Sequence, residues 1–141
     1  MKKIFALLVL FTIAACTVDD EDSVYVPPDL VGSWKEIYRQ DTPESQIVDV
    51  SDCSQTQVSL QYTFEDNGVY MITSACDPSL TEPRSGNYTF IDNVLTLTEG
   101  DATYTYFLIP SENPSTIELQ RQEEVNGVLT DLNLLALQRQ N

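Results

Sequence analysis

From residue 33 onward, apolar and polar side chains alternate in short runs separated by turn residues, with no long stretch of helical period. Eight β-strands are predicted, at 33 to 40, 57 to 65, 69 to 76, 86 to 91, 94 to 99, 103 to 109, 116 to 124 and 128 to 138. One short turn of helix is expected near Pro28 to Val31. Strands this short and evenly spaced point to a barrel or sandwich.

The turns allow registers to be assigned. In "YTFEDNGVYMI" a three-residue loop, Asp66-Asn67-Gly68, with Gly68 supplying a positive φ, pairs Glu65 with Val69, Phe64 with Tyr70 and Tyr62 with Ile72. All the large side chains then share one face, whereas a two-residue loop splits them between faces. In "NYTFIDNVLTL" a two-residue turn at Asp92-Asn93 aligns Phe90 with Leu95 and Tyr88 with Leu97. A turn at Asn126-Gly127 sets Leu119 against Leu134 and Ile117 against Ala136. Consecutive hairpins of this kind predict an antiparallel meander.

The face so defined carries Tyr62, Phe64, Tyr70, Ile72, Tyr88, Phe90, Leu95, Leu97, Leu119 and Leu134, with Tyr104 or Tyr106 joining it. Tyrosine has an apolar body and a polar tip, which suits the wall of a lumen for an amphipathic guest and equally suits a packed core. Tyr62, Tyr70, Tyr88 and Tyr106 are therefore the candidate ligand contacts. Arg121 joins them: the last register puts it on the face of Leu119, opposite Leu132, where it can meet a carboxylate or phosphate.

The first residues read differently. "MKKIFALLVLFTIAA" has two lysines and then an apolar segment too short to span a bilayer, the form of a secretion signal. Ile13, Ala14, Ala15 and Cys16 resemble the lipobox of bacterial lipoproteins. That resemblance implies cleavage after residue 15 and acylation of Cys16 with diacylglyceryl and palmitate-type chains, a membrane anchor. Asp19, Asp20, Glu21 and Asp22 make residues 16–28 a solvated acidic tether. They are also similar to the export signal of Bacteroidota lipoproteins sent to the outer face of the outer membrane. The expected location is the bacterial cell envelope, at the outer membrane.

Loss of residues 1–15 leaves five basic against 22 acidic side chains and a formal net charge of −17. Nucleic acid and anionic lipid surfaces are excluded as partners on that charge. Two cysteines remain beyond Cys16. Cys53 and Cys76 are expected to form a disulfide in an oxidising compartment. Their numbers do not fit the ladder of the first hairpin, so Cys53 must lie in the preceding loop, pinning segment 41 to 56 at one end of the fold.

"DLVGSWK" carries the G-x-W that opens the first strand of lipocalins. Together with the order of the hairpins it makes residues 29–141 resemble the lipocalin-like domains of Bacteroidota lipoproteins, which implies an eight-stranded antiparallel meander barrel. In that family the tryptophan closes the barrel floor and an arginine from the last strand packs across it. The matching residues are Trp34 and Arg139. The loop "LIPSENPST" lacks the family's TDY-like motif, and no helix follows the eighth strand.

Catalysis is not expected. There is no histidine, no nucleophile elbow and no phosphate loop, and Glu123 and Glu124 point to opposite faces of a strand. Turn chemistry accounts for the acidic loops without a metal, and no cofactor is expected. Two readings of function stay open: a carrier of a small apolar or amphipathic molecule, or a filled barrel that binds an envelope protein or glycan.

Overall fold

A computed structural model describes residues 29–53 and 58–141; Cys16, the signal segment and the acidic tether lie outside them. Nine strands occur in chain order among the described residues: β1 Gly32–Gln40, β2 Val48–Asp49, β3 Leu60–Phe64, β4 Val69–Ser74, β5 Arg84–Ile91, β6 Val94–Glu99, β7 Ala102–Ile109, β8 Thr116–Val125 and β9 Val128–Arg139. β1 pairs β3, each later strand pairs the next, and β9 returns to β1. Eight antiparallel strands thus close a barrel, compatible with the lipocalin-like architecture expected of this sequence. β2 is an extra two-residue strand laid on β1 beyond the end of β3.

The first two hairpins have the expected registers. Tyr62 faces Ile72 and Phe64 faces Tyr70, while Tyr88 faces Leu97 and Phe90 faces Leu95. Gly68 has φ +82°, and the Glu65 N–H donates to the Val69 carbonyl to close the loop. Asp92 and Asn93 both adopt positive φ, as a two-residue hairpin turn requires.

The last hairpin differs. Its turn is at Asn126-Gly127, and Val125 faces Val128 as expected, but a β-bulge between Arg121 and Gln122 leaves Leu132 unpaired. Beyond the bulge Leu119 faces Leu135, Ile117 faces Leu137, and Arg121 faces Asn133 rather than Leu132. Leu134 accordingly leaves the inner face. Burial decides between the registers: the observed one puts Leu135 and Leu137 in the core, where the other would have placed Leu134 and the smaller Ala136. A second bulge, at Ile37 of β1, answers the first.

Strand ends also shift for local reasons. β3 begins at Leu60 because side chains replace the ladder there: the Ser59 hydroxyl donates to the Glu36 carbonyl, and the Leu60 N–H donates to the Glu36 carboxylate. β4 ends at Ser74, whose Oγ accepts from the N–H groups of Cys76 and Asp77. The helical turn among the described residues is Pro78–Leu80, capped by Asp77; residues 29–31 are irregular.

The two ends of the barrel differ. The closed end holds Leu30, the 66–68 and 92–93 turns and the chain terminus, and Trp34 there is fully buried. The open end carries the 41–53 segment, the β4–β5 loop and the β6–β7 and β8–β9 turns. Cys53 and Cys76 are bonded at this end, with Cα atoms 5.5 Å apart and neither residue in a strand. The bridge closes a loop of 23 residues, worth about 3 kcal/mol in chain entropy. A Cys53→Ser/Cys76→Ser variant is expected to keep the β-sheet spectrum and lose that amount in urea unfolding; an unchanged midpoint would show that the bridge adds nothing.

Candidate functional site

Inward positions change in character along the barrel. From the floor to mid-height they are apolar: Trp34, Phe64, Leu95, Leu97, Ile117, Leu119 and Leu137 are buried together. Toward the open end the same faces turn polar.

Three arginines reach that mouth from different strands. Arg84 of β5 pairs with the core residue Ile72, which fixes its inward face. Arg121 does so two residues beyond Leu119. Arg39 faces Leu135 because the bulge at Ile37 reverses the alternation of β1. Residues 29–141 contain five basic side chains, so a strongly acidic chain gathers three of them at one opening. Carboxylates accompany two of them, so the charge that favours an anion there is that of the third, Arg121.

Two of the three have carboxylate partners. Arg84 makes a two-pronged contact with Glu99, Nε and Nη2 lying 2.9 and 2.7 Å from Oε2. That hydrogen bond holds the Glu99 carboxyl below its ordinary value. Arg39 lies 3.7 Å from Glu36 and also donates to the Val58 carbonyl. Arg121 has no carboxylate within ion-pair distance among the described residues. Its guanidinium lies 4.9 Å from the centre of the Tyr104 ring, whose surroundings also include Arg84 at 5.9 Å. A cation over a ring face is stabilised by the π electrons but keeps its N–H donors for another group.

Further down, Glu36 is 2 % exposed. Burial pushes its carboxyl above the ordinary 4.5, against Arg39 and the Leu60 N–H, which pull it down, and with Asp41 adding to the rise. Burial also pushes the Tyr62 and Tyr106 hydroxyls up, Glu36 adding to both effects. A raised carboxyl favours folding at acid pH, and that contribution is lost as pH rises through the folded value. Relative to Glu36→Gln, the native protein should therefore lose stability from acid toward neutral pH. Urea unfolding of both across that range tests this; a flat or opposite difference would contradict it.

Two buried polar atoms in this region have no partner among the described residues: the Tyr70 hydroxyl and Asn133 Oδ1. Asn133 stands directly across from Arg121, and Tyr70 is fully buried. An unmet buried polar atom costs about 1–3 kcal/mol, which a bound polar group would offset.

Of the residues singled out in the sequence, Tyr62, Tyr70, Tyr106 and Arg121 share the inner face toward the mouth. Tyr88 does not: it stands at the closed end, its hydroxyl donating to the Glu65 carbonyl and its ring edge-on to Phe64 at 4.9 Å. Trp34 and Arg139 form the floor. The Arg139 guanidinium lies 4.5 Å from the indole and donates to the carbonyls of Val31 and Asp29; the indole N–H donates to the Leu30 carbonyl. Sequence reasoning missed Glu36, Arg39, Arg84, Glu99 and Asn133. Arg84 preceded the predicted start of its strand, while bulges turned Arg39 and Asn133 inward.

Outside the barrel, a shallow pocket of about 400 Å³ lies between β1 and the following loop, lined by Ile37, Tyr38, Ile47, Asp49 and Ser51. Its one charged group, Asp49, is already bonded to Ser51. Comparison with known proteins found no matching family model, curated protein or solved structure.

Proposed function

We propose that this chain is a non-enzymatic envelope lipoprotein whose lipocalin-like barrel binds a small amphipathic molecule by an anionic head group at the open mouth. Cys16 anchors it to the outer membrane, and the acidic tether holds the barrel away from the lipid. The observation that supports this reading most is Arg121, an inward guanidinium without a carboxylate partner among the described residues, set against Tyr104 and facing the unmet Asn133. The packed lower half makes the site a shallow one. The guest's head meets Arg121 and its apolar part lies against Tyr104 and Tyr106.

A second reading, a filled barrel that binds an envelope protein or glycan, draws on that packed lower half and on the exposed Leu80, Val128 and Leu129 at the open end. Calorimetric titration with octanoate, octanol and octylammonium separates the two. The carrier reading expects saturable binding of octanoate alone, weakened by about tenfold or more in Arg121→Gln, the loss expected for one charge-assisted hydrogen bond. Equal binding of octanoate by the variant would remove Arg121 from the site. No binding of any of the three would favour the interaction module.

A further inference from the structure

β7 and β8 do not stay together to the open end. Their ladder runs from Ile109–Glu118 to Tyr106–Arg121 and stops. β7 continues to Ala102, paired on its other side with β6. β8 continues to Val125, paired with β9. On the far side β9 joins β1 only from Leu134 onward. The hairpin from Gln122 to Leu132 is therefore an arm that leaves the barrel at the bulge, the usual place for a sheet to bend. Among the described residues no ladder pair joins residues 102–105 of β7 to 122–125 of β8, and this break in the sheet is a notch with Arg121 at its apex.

Each wall of the notch is a strand edge unpaired among the described residues, its backbone N–H and C=O groups directed at the gap. An extended segment lying between them adds ladders to both, the mode known as strand addition. Such a segment has to end at the apex, because Tyr106 and Arg121 are already paired there. The charge at the apex selects which end arrives. An amino terminus would bring a cation to Arg121, with Arg84 on the same Tyr104 ring. A carboxy terminus brings the anion that Arg121 lacks among the described residues.

We propose that the notch binds the C-terminal four residues or so of an extended peptide, running parallel to β7 and antiparallel to β8, with the terminal carboxylate on Arg121. This deepens the mouth-site reading and rests on it. Glu123 and Glu124, one on each face of the arm, favour basic or neutral side chains just before the terminus and disfavour acidic ones. Asn133, across from Arg121, offers its unmet atom to the last peptide unit. Alternate guest side chains face the lumen beside Tyr104, the others face solvent.

The test uses N-acetylated hexapeptides randomised over Ala, Val, Leu, Thr and Lys, prepared as free acids and as C-terminal amides and passed over the immobilised full-length protein. Free acids should be retained about tenfold or more over amides, the effect of one charge-assisted contact, and Arg121→Gln should erase the preference. Backbone amides in 102–105 and 122–125 should gain protection from hydrogen exchange when a retained peptide is bound. Equal retention of acids and amides, or retention without protection of either strand, would overturn the proposal. If octanoate binds and the free-acid peptides do not, the peptide assignment fails while the mouth site stands. If neither binds, both fail.

Discussion

Trp34→Ala is expected to lower the unfolding free energy by about 3–5 kcal/mol, the range for deleting a large aromatic side chain from a core. The indole is fully buried and closes the floor. Its loss leaves the Leu30 carbonyl without its donor and takes away the surface that Arg139 covers at 4.5 Å. Arg139 keeps its bonds to the carbonyls of Asp29 and Val31, so the floor should loosen rather than open. Because Trp34 is the single tryptophan, unfolding has to be followed by circular dichroism. A loss below about 0.5 kcal/mol, the scale of an ordinary surface change, would mean that the floor is held mainly by the arginine.

Gly86→Ala should be comparably damaging for the opposite reason. A Cβ built on Gly86 overlaps the Thr98 carbonyl oxygen and comes within 3.0 Å of the Tyr70 ring. The carbonyl belongs to β6, paired to β5 beside it, so relief requires moving one strand of a closed barrel. Overpacking a core costs about 1–3 kcal/mol when side chains alone can adjust, and here backbone has to move, so the loss should reach or pass the top of that range. Gly100→Ala is the control. Nothing lies within 4 Å of its Cβ position, and the cost there is the roughly 1 kcal/mol of a left-handed φ. Thermal unfolding of the two variants orders them; equal midpoints would contradict the close packing of Tyr70 over Gly86.

The meander was legible where two signals agreed. At Asp66-Asn67-Gly68 and Asp92-Asn93 the turn residues and the alternation of large side chains chose the same register. They disagree in "LNLLALQ", where Leu132 and Leu134 fit one face and Leu135 and Leu137 the other. Alternation cannot choose there, and packing against Ile117 and Leu119 does so through a bulge. The candidate site suffered more than the fold from that ambiguity. A bulge of one residue reverses every side chain beyond it, and two bulges brought Arg39 and Asn133 to the mouth. β2 was missed because two residues give no period. The disulfide was expected from the two cysteines left beyond Cys16, and Cys53 and Cys76 are bonded.

The most direct measurement is an NMR titration of ¹⁵N-labelled protein with octanoate. Saturable shifts at Arg121, Asn133, Tyr104 and Arg84, with Ile47 and Ser51 of the outer pocket unmoved, are the predicted result. Shifts confined to the outer pocket, or no saturable shift at the mouth, would contradict an anion site in this barrel.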